Sequence, residues 1–231
     1  MNRFFSFLEK NINVSYAQSG EDRIISFIFD WIKIKSPTYL DIGAHHSSWL
    51  SNTYLFYKKG SSGVCLEPDP SLFSEIKKKR KRDICLNIGV SCSSQKMADF
   101  YVMTSKTLNT FSKEDAIRCQ ETQNFGKQKI EKVIQVPLCT VNDLMKEYFA
   151  NGVNLVSVDV EGLDFEIIKS FDFKQYQPEV FCIETLRYVE NGVLQKNIEL
   201  IRYMEKQNYS VYGETYINTI FVSKKVSDLL K

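Results

Sequence analysis

The alternation of short, uniformly apolar runs with helically spaced ones constrains this chain more than any other feature. Strand-like runs are "TYLDI" (38–42), "GVCLEP" (63–68), "DICLNIGV" (83–90), "NLVSVDV" (154–160) and "EVFCIET" (179–185). Helical spacing marks 20–35, 70–81, 140–150, 163–170 and 193–207. Strands that are apolar throughout are buried on both faces, and strands separated by helices are joined by parallel crossovers. A mostly parallel α/β sheet with helices on both faces is the expected architecture. After the last helical run, "YSVYGE" (209–214) and "INTIFVS" (217–223) are close enough to form an antiparallel hairpin at one edge. A chain of 231 residues needs only one domain, 1–231, with 1–36 as its N-terminal helical segment.

Segment 104–132 is polar, shows no clear strand and is too long for a plain connector. A loop of that size is expected to serve function, as a lid or acceptor-recognition insert. The 30 basic and 28 acidic residues leave a formal charge of +2, which does not suggest a nucleic-acid partner. The run "KKKRKR" (77–82) reads as the solvated end of a surface helix; a patch for phosphate or anionic lipid is the other reading. Six cysteines at 65, 85, 92, 119, 139 and 182 form no CxxC pair, which fits buried free thiols in a reducing compartment. No apolar run approaches the roughly 18 residues of a membrane span, and "MNRFFSFLEK" is too short in apolar residues for a signal peptide. A cytoplasmic protein is expected, with peripheral membrane association still open.

In a parallel sheet, ligands collect at the carboxyl ends of the strands. Those ends carry Asp41, Glu67, Asn87, Asp159 with Glu161, and Glu184. The first lies in "YLDIGAHHSSWLSN" (39–52), where a single glycine, Gly43, stands in place of the two or three that cradle a pyrophosphate. So many carboxylates would repel a dinucleotide but suit a cation. Glu67 lies 26 residues beyond Asp41 (67 − 41), at the next strand end, where a carboxylate can accept both hydroxyls of a ribose. Sugar, cation and no phosphate describe S-adenosylmethionine.

The blocks "SYAQSGEDRIISFIF", "YLDIGAHHSSWLSNTYLFYKKG", "CLEPDP", "NIGVS", "LNTF", "VPLCTVNDL", "LVSVDVEGLDFEIIKSF" and "PEVFCIET" follow one another in order from about residue 15 to 222. In this the chain resembles the FkbM family of S-adenosylmethionine-dependent methyltransferases. The resemblance implies a Rossmann-like seven-stranded methyltransferase sheet and an O-methyltransferase acting on a sugar, glycan or related small-molecule hydroxyl. It implies cofactor binding by Asp41, Gly43 and Glu67, within a wider set of Gln18, Glu21, Ala44, Asn52, Pro68, Asn87, Gly89 and Asp159. The "DVEG" acids, Asp159 and Glu161, would stand beside the methyl group. Many members read "DIGANxG" where this chain has "DIGAHHS", so His46 and Ser47 depart from the commoner form.

An alcohol must lose its proton to attack well, and Asp159 or Glu161 can take it, with His45 as the competing candidate. The same acids with Glu184 could instead hold Mg²⁺; the metal-free route is the expected one. Bland readings stand beside these: Asp41 as a helix cap, the paired histidines as solvated loop residues, Glu21 and Asp22 as acids at a helix N-terminus, Glu184 as a structural hydrogen-bonding group. Rival functions are a nicotinamide-dependent oxidoreductase, a glycosyltransferase and an inactive methyltransferase-like interaction module. The missing GxGxxG and the row of acids weigh against the first two.

Overall fold

The computed structural model describes residues 13–121, 127–160, 162–188 and 194–230. Helix α1 (Glu21–Trp31) leads into β1 (Tyr39–Ile42), α2 (Tyr54–Lys58), β2 (Gly63–Leu66), α3 (Pro70–Lys79) and β3 (Ile84–Leu86). Next come β4 (Gly89–Ser91), β5 (Met97–Met103), a 3₁₀ turn (Lys106–Leu108), α4 (Lys113–Glu121), β6 (Ile130–Thr140) and α5 (Val141–Tyr148). The remainder is β7 (Leu155–Val158), α6 (Asp164–Ser170), β8 (Val180–Glu184), β9 (Leu186–Tyr188), β10 (Leu194–Lys196), α7 (Ile198–Lys206), β11 (Tyr209–Glu214), β12 (Asn218–Ser223) and α8 (Lys224–Leu229).

Seven strands form the main sheet in the order β11-β12-β8-β7-β1-β2-β3. Those from β8 to β3 are parallel, and β12 and β11 are antiparallel at one edge. This is the expected Rossmann-like sheet with its C-terminal hairpin. Period-two alternation separates two cores. Tyr39, Cys65, Leu155, Val180 and Cys182 pack on one face with Ile25, Ile28 and Phe29 of α1, Phe56 of α2 and Ile76 of α3. Leu40, Ile42, Leu66, Val156, Val158, Phe181 and Ile183 pack on the other with Met145 of α5, Ile168 of α6 and Met204 of α7. Each such side chain contributes about 1.5–3 kcal/mol on burial, so register is strongly specified on both faces.

Four local expectations are corrected. The run 83–90 is not one strand: β3 stays in the main sheet, while β4 leaves it to pair with β6 in a second, three-stranded sheet, β4-β6-β5. That sheet takes in the end of segment 104–132, since β6 begins at Ile130. Residues 194–196 form β10 rather than the start of a helix, which begins at Ile198. Within "KKKRKR", five residues are exposed, but Arg80 is fully buried. Helix α3 ends one residue earlier, and at φ −101°, ψ 67° the chain leaves the helix at Arg80. All six cysteines are free, Cys65 and Cys182 among them in the core. Among the described residues no helix is long and apolar enough to cross a membrane.

Candidate functional site

Strand β1 has β2 on one side and β7 on the other, so the connections that follow β1 and β7 diverge and leave a crevice at their carboxyl ends. A cleft of about 690 Å³ opens there, within the range typical of small-molecule sites. Gly43 forms its floor at φ 84°. A Cβ at Gly43 would lie 1.8 Å from the Asp159 carbonyl oxygen, so the lone glycine of this turn lets two backbones cross. That is a reason for glycine quite separate from phosphate binding.

Glu67 lines the cleft at the end of β2 and is 5% exposed. Its carboxylate accepts the His45 N–H at 2.9 Å on one oxygen and the Asp69 N–H at 2.7 Å on the other. Burial raises its pKa to about 8, and those two N–H groups offset only part of the shift. Asn87 holds the backbone behind it, donating to the carbonyls of Glu67 at 2.8 Å and Pro68 at 2.9 Å.

Asp159 follows β7 and Glu184 ends β8; the preceding pair, Val158 and Ile183, are in register, so the two acids are neighbours across the strands. Both line the cleft, and their side chains are hydrogen-bonded. Burial, then the negative Asp164, push Asp159 above the usual carboxylate range, with the Glu184 bond acting against them. Asp164 shapes the loop by accepting the N–H groups of Val160 at 3.1 Å and Gly162 at 3.2 Å. Glu161 lies outside the described residues.

The model of the methyltransferase FkbM domain matches residues 41–211, well over half of the chain. This chain belongs to the FkbM methyltransferase family. No curated protein is significantly similar to it. Similar solved structures include a TehB-like SAM-dependent methyltransferase from Corynebacterium glutamicum, at 12% identity and TM-score 0.45 over 96% of this chain and 95% of that one. An O-methyltransferase from Bacillus cereus in complex with SAH is similar at 10% identity and TM-score 0.44, over 94% and 86% respectively.

Of the residues that resemblance to FkbM methyltransferases singled out, Gln18, Gly43, His45, Glu67, Pro68 and Asp159 line the cleft, as does Glu184. The other described ones do not line it. Asp41 is 4% exposed and accepts from Thr53 Oγ1 at 2.5 Å, with Arg80 Nη1 at 3.7 Å. Arg80 also donates to Thr53 Oγ1 at 2.8 Å and Asp83 at 2.6 Å, so one buried guanidinium joins α3 to β1. Asn52 donates to Ser157 Oγ at 3.1 Å, Ala44 is buried, and Gly89 meets Phe111, whose ring atom would be 2.3 Å from an added Cβ. Glu21 is fully buried and accepts from Ser19 N, Thr215 Oγ1 and Asn218 Nδ2.

The two histidines part company. His45, at φ 51°, faces the cleft, and burial lowers its pKa, which keeps it neutral. His46 Nδ1 accepts the N–H groups of Ser48 and Trp49 while Nε2 meets Glu75 at 3.0 Å, which makes it a brace for its own loop.

Residues that motif reading passed over come from segment 104–132: Ser105, Lys106, Thr107, Asn109 and Arg118 all line the cleft. Asn109 accepts from Met103 N at 2.8 Å and donates to Asp69 at 3.2 Å, tying the insert to the loop beside Glu67. The block "LNTF" was the available signal, without a chemistry attached to it. Among the described residues no cluster of three His, Cys, Asp or Glu could hold a metal.

Proposed function

We propose that this FkbM-family protein is an S-adenosylmethionine-dependent O-methyltransferase acting on a hydroxyl of a sugar, glycan or related metabolite. The observation that carries the reading is Glu67: a buried carboxylate at the switch point, braced on both oxygens and open to a cleft whose strand ends bear further acids and no phosphate-cradling glycines. This donor set fits a ligand with a ribose diol and a positive charge. When bound, that ligand supplies an electrophilic methyl carbon on sulfur. Gln18, Gly43, Glu67 and Pro68 would hold it, with Asp41, Ala44, Asn52, Asn87 and Gly89 supporting the walls from behind.

Asp159 is the base of the proposed reaction. It takes the proton of the acceptor hydroxyl onto its carboxylate, and Glu184 shares that proton. His45, neutral and facing the same cleft, is the competing base. The adjacency of Asp159 and Glu184 also suits a divalent cation, and loss of activity in EDTA with recovery in Mg²⁺ would select that version. Segment 104–132 is proposed as the acceptor-recognition lid, because its residues line the cleft beside the strand ends. Six free thiols support a cytoplasmic setting.

Calorimetry with S-adenosylmethionine and S-adenosylhomocysteine tests the reading. Wild type should bind both, and Glu67→Ala should lose on the order of 1.5–3 kcal/mol, the scale of a hydrogen bond to a charged group. No binding by wild type, or equal binding by the variant, would sink it.

A further inference from the structure

The hairpin turn between β11 and β12 departs from the usual turn chemistry. Its central residue, Tyr216, has φ 68°, the left-handed region where glycine or asparagine is the ordinary choice and a bulky side chain is disfavoured. Its side chain is 67% exposed yet lines the cleft. Nothing in the turn's own hydrogen bonds calls for an aromatic: Thr215 N donates to the Asn218 carbonyl at 3.0 Å and Ile217 N to the Thr215 carbonyl at 2.9 Å. Strain that local structure does not need is most often kept for ligand contact.

The turn is pinned from two sides. Glu21 Oε1 accepts from Thr215 Oγ1 at 2.5 Å and from Asn218 Nδ2 at 3.0 Å, and Glu21 is fully buried. The Ile217 carbonyl accepts the N–H of Thr185, the residue after Glu184, at 3.0 Å. Asn218 is the register partner of Glu184. Tyr216 is thus held two residues from the strand position that faces the acid pair. Ser105, Thr107 and Gln128 also line the cleft, and their hydroxyl and amide groups, already linked to one another by Ser105 N to Gln128 Oε1 at 3.0 Å and Ser105 Oγ with Thr107 Oγ1 at 2.9 Å, are a polar surface suited to ring hydroxyls.

We propose that Tyr216 is the stacking platform for the acceptor, which presents the apolar C–H face of a pyranose ring, and that Glu21 is the positioning residue that holds the platform in place. This rests on the O-methyltransferase reading and narrows its substrate class. A six-membered sugar ring has a face of C–H bonds that packs on an aromatic plane, while its rim of hydroxyls needs polar partners. The turn and segment 104–132 provide one each. Glu21, the acid of the "GED" block, acts from behind the wall and touches neither ligand.

Saturation-transfer NMR with methyl α-D-glucopyranoside, methyl β-D-galactopyranoside and methyl α-L-rhamnopyranoside tests the proposal, with S-adenosylhomocysteine affinity measured separately by calorimetry. Wild type and Tyr216→Phe should transfer saturation to the ring C–H protons of at least one glycoside. Tyr216→Ala and Tyr216→Gly should weaken that glycoside on the order of tenfold and leave S-adenosylhomocysteine affinity unchanged. Tyr216→Gly, which relieves the left-handed strain, should melt no lower than wild type, so its loss of binding is not a loss of folding. Glu21→Ala should weaken the glycoside likewise, and Glu21→Ala combined with Tyr216→Ala should add nothing further; additive losses would remove the positioning role. No saturation transfer to wild type, or glycoside affinity kept within about twofold by Tyr216→Ala, overturns the platform. Failure of wild type to bind S-adenosylhomocysteine strikes the O-methyltransferase reading instead, and the glycoside titration still decides on Tyr216.

Discussion

Glu67 and Asp159 are both acids at strand ends, yet their surroundings set them different tasks. Glu67 is braced by backbone N–H groups from two loops, so its oxygens are aimed and cannot swing. With its pKa raised to about 8, it is mostly protonated at pH 7 in the ligand-free protein. A ligand that donates two hydroxyls selects the ionised form, so binding at pH 7 should release close to one proton, and affinity should rise as pH approaches 8. Calorimetry in buffers of different ionisation enthalpy measures that release; a buffer-independent heat contradicts it. Asp159 faces another carboxyl instead. As a base it works only deprotonated, and its pKa lies above the usual range, so turnover should fall as pH drops through that raised value. Asp159→Asn should cut the rate by roughly 10²–10⁴, remove that acid limb and leave cofactor affinity nearly unchanged. Full activity of this variant in EDTA would rule out both the base and the metal. Glu67, Asp159 and Glu184 were legible in the sequence because chain position puts them at the crevice, whereas Asp41, inside its strand, turns instead to Thr53 and Arg80. The histidines were not: two identical neighbours differ only because the positive φ at His45 turns one toward the cleft and its partner into the loop.

The main-sheet strands show as unbroken apolar runs because they are buried on both faces. Strands β5 and β6 did not show in this way. The first is exposed along its initial half, the second is exposed or half-buried along nearly all its length, carries the adjacent charges Glu131 and Lys132 and contains Pro137, and a proline inside a run argues against an ordinary central strand. Their pairing, from Met97 with Pro137 to Met103 with Ile130, turns what reads as a long structureless insert into an arm rooted in a small sheet. The arm meets its surroundings through Asn109 to Asp69, Asp115 beside Gly162, Phe111 against Gly89 of β4, and a small cluster in which Ala116 packs on Tyr101 and Met103. Only Thr110 and Ala116 are buried among the described residues of 104–132, and so exposed a segment has a low local opening free energy. Limited proteolysis should therefore cut first within 104–132, and S-adenosylhomocysteine with a bound glycoside should slow the cut. Uniform hydrogen-exchange protection across the segment in the ligand-free protein would argue against a moving arm.

The buried cluster around Arg80 belongs to the whole molecule. Its guanidinium meets Asp41 of β1, Thr53 ahead of α2 and Asp83 ahead of β3, and Tyr39 Oη donates to Asp83 at 2.7 Å. In the sequence this arginine sits among five solvated basic residues, and only the turn after α3 takes it inward. Arg80→Met fills similar volume but leaves two acids buried without their cation, a cost of about 3–5 kcal/mol. Thermal unfolding should move down by on the order of 10 °C. An unchanged melting temperature would show that Asp41 and Asp83 do not depend on it. The strand order has a consequence for synthesis. β1, at residues 39–42, finds its partner β2 almost at once, but its other edge stays open until β7, at 155–158, has been made. β7 in turn waits for β8, and β8 for the hairpin beyond residue 209. A nascent chain halted before β7 therefore presents the bare edge of β1 and an unfinished crevice to its surroundings. On the ribosome, ligand capture can begin only after most of the chain has emerged, and until then the N-terminal half carries an unpaired strand edge of the kind that invites aggregation.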